Sequence, residues 1–248
     1  MTNARAGQDV SWAACLKPRP AARLRLFCFP YAGGGSWVFR NWADGLPDVE
    51  VWAVQLPGRE RRIREAPIGS IATLADRAVA GLLPLLTGPY AFFGHSMGAM
   101  VGFEVARRLR QRPPAKLIVS AQSAPQLPRE REVVRHLLPD AELIDELSRL
   151  GGTPPEVLEN KELLELLLPV IRADFEAVET YEYTDERPLA CPIAAYGGLQ
   201  DVHIPAENIE AWRAQTTGAC RSHFFDGDHF YLNPLRAELL AELRRDLR

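Results

Sequence analysis

The chain has 248 residues, 47% apolar and 25% charged, which is enough for one domain with a large core. A formal charge of -3 gives no electrostatic ground for binding nucleic acid or an anionic membrane surface. No apolar run reaches membrane-spanning length, because Leu82-Leu83-Pro84-Leu85-Leu86 is short and broken by proline. Residues 1–22 are polar, without the apolar core of a signal peptide, and are expected to form a flexible leader on a cytoplasmic protein, with monomer as the default. Cys15, Cys28, Cys191 and Cys220 show no CxxC spacing, and the last three fall in or beside apolar runs, so buried free thiols are expected.

Residues 24–29 (Leu-Arg-Leu-Phe-Cys-Phe) form the first strand candidate. Pro30-Tyr31-Ala32-Gly33-Gly34-Gly35-Ser36 breaks it, and residues 37–43 read as a short helix. The glycine cluster invites a phosphate-loop reading, but both the P-loop and the GxGxxG patterns are absent. A second strand spans 49–54 and ends at Leu56-Pro57-Gly58. The mixed charges of residues 59–65 read as a solvated loop, in which Arg59, Arg61 or Arg62 would be free to meet a phosphate or an acidic partner. Apolar residues from Ile71 to Leu86 recur at helical spacing.

The apolar run Tyr90-Ala91-Phe92-Phe93 predicts a buried strand, and residues 99–109 an amphipathic helix ended by Arg112-Pro113-Pro114. Another strand covers 116–121. The alternation argues for a mostly parallel sheet in a single α/β domain over residues 23–248. It breaks at 125–184, where helices are expected at 130–138, 141–150, 155–158 and 161–181, with Asp140 and Thr153 as N-caps. A crossover needs far fewer residues, so this insertion reads as a helical lid. Strands at 192–198 and 221–225 and a helix at 234–247 close the chain.

Between the strand at 90–93 and its helix lies Gly94-His95-Ser96-Met97-Gly98. A serine between two glycines at a strand-to-helix turn resembles the nucleophile elbow of the α/β-hydrolases. That fold has a mostly parallel central sheet flanked by helices, and its triad runs Ser, then acid, then His. Of the five histidines, His95 sits in the elbow, His136 in the insertion, His203 beside the acid candidate and His223 in a strand. His229 alone follows the final strand and is the expected base. The acid is Asp201, which ends the loop after the penultimate strand. Asp226 and Asp228 share the histidine's own loop, while Asp174 and Asp185 lie in or next to the insertion. The oxyanion donors expected are the backbone N–H groups of Met97 and Ala32. The chemistry requires no metal and no organic cofactor.

Further motifs accompany the elbow: residues 29–35 (Phe-Pro-Tyr-Ala-Gly-Gly-Gly), Leu56-Pro57-Gly58-Arg59-Glu60, Leu138-Pro139-Asp140, Gly151-Gly152-Thr153-Pro154 and Gly227-Asp228-His229-Phe230. Together these resemble the type II thioesterases, the stand-alone editing enzymes of polyketide and non-ribosomal peptide synthesis. The resemblance implies hydrolysis of aberrant or stalled acyl thioesters on the phosphopantetheine arm of an acyl or peptidyl carrier protein. It also suggests Tyr31, Arg59 and Arg61 as residues meeting the arm or the carrier. Two other readings share the site: an esterase or lipase acting on free esters, and a non-catalytic module that kept the fold.

Overall fold

The computed structural model describes residues 12–128 and 133–248. β1 (Ala13–Cys15), β2 (Leu24–Phe29), β3 (Val49–Val54), β4 (Tyr90–His95), β5 (Lys116–Ser120), β6 (Ile193–Gly198) and β7 (Cys220–Phe225) pair in the order β1-β3-β2-β4-β5-β6-β7. Only β1 runs antiparallel to its neighbour; the other pairs are parallel. The arrangement is the mostly parallel α/β-hydrolase sheet expected. Register pairs Phe29 with Gly94, His95 with Ser120 and Gly198 with Phe225. The loops after β2, β4, β6 and β7 therefore open at one edge, the carboxyl edge of the sheet.

Both faces of the sheet are covered, as continuous apolar strands require. Phe27, Phe29 and Phe92 pack to one side with Met100 and Trp212. Leu26, Cys28 and Phe93 pack to the other with Trp42 and Tyr196. This is the two-residue alternation of a strand.

Helix positions follow the sequence with instructive differences. The segment expected at 37–43 splits into a 3-10 turn (Ser36–Phe39) and α1 (Trp42–Gly45). α2 (Ile71–Leu82) buries Ile71, Leu74, Ala75, Ala78 and Leu82, and its N-cap Ser70 accepts from the Thr73 N–H. The chain then tightens into a 3-10 turn at Leu83–Leu85, where Pro84 interrupts the α pattern. α3 (Met97–Arg108) fills the gap before β5.

Between β5 and β6 no strand occurs among the described residues, and the insertion is helical. α4 (Asp140–Leu150), α5 (Pro155–Leu158) and α6 (Lys161–Glu179) enclose a small core of Leu143, Leu147, Leu164, Leu168 and Ile171. The helix expected at 130–138 falls partly on residues 130–132, outside the described residues. Its remaining stretch, 133–138, holds only a 3-10 turn at Arg135–Leu137. Neither expected cap is used. Pro139 and Pro154 occupy the cap positions of α4 and α5 without a side-chain cap, and Pro155 takes the first position of α5, which suits its fixed φ and missing N–H. Asn160 instead caps α6, accepting from the Leu163 N–H at 3.1 Å.

α7 (Ala206–Glu210) and α8 (Arg236–Asp246) complete the chain. Part of the expected leader is not free: Ala13, Ala14 and Cys15 pair with Val54, Ala53 and Trp52 of β3. Cys220, expected buried, is half-buried, as is Cys15.

Candidate active site

The site starts from the turn between β4 and α3. Ser96 holds φ +52° and ψ −119°, a conformation L-residues rarely adopt and one that stores strain. The surroundings enforce it. A Cβ on Gly94 would stand 2.2 Å from the Gly98 carbonyl oxygen, and one on Gly98 would stand 2.2 Å from that of Phe29. Only glycines let the elbow close so tightly. The Ser96 N–H donates to the Ser120 carbonyl at 2.8 Å, tying the turn to β5.

The loops after β6 and β7 supply the rest. His229 Nε2 lies 3.1 Å from Ser96 Oγ, and its Nδ1 lies 2.7 Å from Asp201 Oδ2. The second Asp201 oxygen accepts the N–H groups of His203 and Ile204 at 2.9 and 3.2 Å. The carboxylate is thus fully occupied, and its side chain is 0% exposed. The two loops are zipped together: Leu199 and Gln200 donate from their backbones to Phe225 and Gly227. The other acids of the histidine loop have separate work. Asp226 accepts from the Gln200 amide, and Asp228 caps the Phe230 N–H.

Met97 is the first residue of α3, where the helix dipole favours negative charge, and Ala32 lies in the turn after β2. Neither backbone N–H is taken by an acceptor among the described residues. The turn itself is closed by the Gly34 N–H, which donates to the Tyr31 carbonyl at 2.9 Å.

The charged segment 59–65 departs from its expectation as a solvated loop. Arg59 and Arg62 are buried, while Arg61 and Arg64 are exposed. Arg59 does not face outward to meet a phosphate, because its guanidinium grips both oxygens of Asp174 at 2.7 and 2.8 Å. Arg62 donates to the Gln55 carbonyl and to Glu65, and lies 3.9 Å over the Trp12 ring. Tyr31 is also interior: its ring meets Trp37, His95 and Phe230 edge-on. Burial pushes its hydroxyl pKa up to about 12, so the ring shapes the site wall as a neutral group.

Sequence reasoning passes over two residues. Asp174 is visible there only as an acid in the insertion. His95, inside the elbow motif, is fully buried with Nδ1 at 2.9 Å from Ser120 Oγ, and Ser120 in turn bonds the Tyr231 hydroxyl. Burial, with the neighbouring His229, drives its pKa well below the usual histidine value. Its ring lies 5.4 Å from that of His229. The insertion touches the same region, since a Cβ on Gly152 would fall 2.2 Å from the Phe230 ring.

Residues 24–247 match the family described as Thioesterase domain. The chain belongs to the thioesterase family. Within that family it is 41% identical over 241 residues to the gramicidin S biosynthesis protein GrsT of Aneurinibacillus migulanus, covering 96% of this chain and 94% of that protein. It is 40% identical to thioesterase PikA5 of Streptomyces venezuelae, covering 94% of this chain and 84% of that one. Among solved structures, the type II thioesterase BorB from the borrelidin biosynthetic cluster superposes with a TM-score of 0.88 at 38% identity, covering 96% and 98% of the two chains. This thioesterase is accordingly of type II, a serine-hydrolase relative of the polyketide and non-ribosomal peptide editing enzymes. No helix among its described residues is long and apolar enough to cross a membrane.

Proposed function

We propose that Ser96, His229 and Asp201 hydrolyse acyl thioesters carried on the phosphopantetheine arm of acyl or peptidyl carrier proteins, clearing stalled or aberrant acyl groups. The observation that carries the reading is the unbroken relay from Ser96 Oγ through His229 to the buried Asp201, built on a strained elbow. A serine hydroxyl is too weakly acidic to attack alone; His229 Nε2 accepts its proton as Oγ bonds to the acyl carbon. Asp201 holds the ring with Nδ1–H toward the carboxylate and stabilises the imidazolium.

The tetrahedral oxyanion is met by the backbone N–H groups of Met97 and Ala32, each such donor being worth about 3 kcal/mol of barrier. Collapse breaks the carbon–sulfur bond, and the proton on His229 goes to the departing phosphopantetheine thiolate. Water then attacks the acyl-serine; His229 takes its proton and returns it to Ser96 Oγ, releasing a carboxylic acid. Because the donors are main-chain groups, the side chains of Met97 and Ala32 matter through shape. With Arg59 and Arg62 buried, Arg61, exposed together with Arg64 on the turn after β3, is the residue assigned to meet an acidic carrier surface.

The test is turnover on an acyl-loaded carrier protein against a free ester of the same acyl group. The carrier thioester is expected to be the better substrate by kcat/KM. A free ester turned over faster would favour an esterase. Charge reversal of Arg61 is expected to raise KM for the carrier substrate; unchanged kinetics would remove Arg61 from the docking surface.

A further inference from the structure

Arg59 and Asp174 lie 115 positions apart, yet they form a two-bonded ion pair with side chains only 6% and 1% exposed. Each spends a further bond on the same turn. Asp174 Oδ2 accepts the Gly33 N–H at 2.8 Å, and Arg59 Nη1 donates to the Gly34 carbonyl at 2.9 Å. The turn needs such help. Gly33, Gly34 and Gly35 are consecutive, Gly33 holds φ +75°, and glycines by themselves leave the backbone many alternatives.

The pins act on the oxyanion donor through peptide geometry. In a planar trans peptide the C=O and N–H point in opposite directions. The Tyr31 carbonyl shares its peptide with the Ala32 N–H and is turned inward to accept from Gly34. The Ala32 N–H is therefore turned outward for as long as the 31–34 turn keeps its shape. The ion pair grips two further groups of that same turn, the Gly33 N–H and the Gly34 C=O, and so holds its backbone from outside. Glu60 extends the brace, accepting from the Ser36 N–H and hydroxyl at 3.0 and 2.8 Å.

Asp174 belongs to the insertion, and its neighbours on α6 press on the same loops. Ile171 sits 3.0 Å from where a Cβ on Gly33 would lie, and Val170 sits 3.2 Å from that position on Gly58. Residues 170, 171 and 174 share one helix face. We propose that Arg59 and Asp174 are positioning residues: they hold the 31–34 turn so that the Ala32 N–H meets the acyl oxyanion, and so make hydrolysis depend on α6 being seated. The proposal rests on the reading of Ser96 as nucleophile and Ala32 as oxyanion donor.

The test is the double variant Arg59→Met, Asp174→Leu, which removes both buried charges together and leaves neither unpaired. Active serines are counted with a fluorophosphonate, and turnover of a small acyl N-acetylcysteamine thioester is expressed per counted serine. The expected result is a fall in kcat of about 30- to 100-fold per serine with KM within about threefold. The affinity of an acyl trifluoromethyl ketone, whose serine adduct carries the oxyanion, should fall in parallel. A pair that merely braces the fold would reduce the number of active serines while leaving kcat per serine and ketone affinity within about threefold; that result overturns the proposal. Should the double variant not fold, Asp174→Asn is read by the same two criteria. A parent enzyme that hydrolyses the small thioester but no acyl carrier contradicts the carrier reading alone, whereas one that takes no fluorophosphonate contradicts the Ser96 reading and this proposal together.

Discussion

Ser96 spends conformational energy to expose its hydroxyl. A non-glycine residue at φ +52° costs about 1–3 kcal/mol, and the hydrogen bonds of its N–H and C=O to Ser120 and Ala99 hold it there. Glycine relieves that strain and alanine does not. The variant Ser96→Gly should therefore be more stable to denaturant than Ser96→Ala by about 1 kcal/mol, although both lack the hydroxyl. Equal midpoints and slopes would show that the elbow is unstrained. His95 makes a second prediction, through pH. It is buried and its folded-state pKa lies well below the ordinary 6.5, so the unfolded chain binds its proton first as pH falls. Its contribution to stability is complete above about pH 6.5 and declines below it by about 1.4 kcal/mol per pH unit until the folded value is reached. Urea titrations of the parent and His95→Gln should diverge in that direction between pH 6.5 and 5; parallel curves would place a proton on the buried ring.

α6 is one helix with two attachments. Pro169 has no N–H to give the carbonyl four residues back, which weakens the helix at that point. Beyond it, Val170, Ile171 and Asp174 are fastened to the loops of the site. Before it, Leu164 and Leu168 rest on the small core shared with α4, and Leu166 remains 59% exposed. Amide hydrogen exchange should therefore run about tenfold or more faster over residues 163–168 than over 171–179. Uniform protection would make the whole helix a fixed wall, with no movable part to serve as a lid. The sequence shows this helix by its period, but not its anchoring. Arg59 stands in a run of alternating charges that locally reads as solvated, and only the fold brings Asp174 to it. β1 is hidden for a related reason: three small residues make too short a run to show a strand pattern, and their hydrogen bonds are borrowed from β3.

At the scale of the molecule, the parallel sheet turns three distant residues into a relay. Ser96 and His229 are 133 positions apart and meet because β4, β6 and β7 end at one edge. This much is legible from chain order, because the elbow fixes the fold and the fold fixes where the acid and the base must come. Arg59, assigned from a motif without its partner, reads wrongly as a ligand for phosphate. The measurement that tests the account most directly is intact-protein and peptide mass spectrometry after mixing the enzyme with an acyl-loaded carrier. The account predicts a transient acyl group on the peptide holding Ser96, with release of free-thiol carrier. It also predicts a loss of turnover in Ser96→Ala of about a thousandfold or more. Acyl release at the parent rate from Ser96→Ala, with no adduct on that peptide, would contradict it.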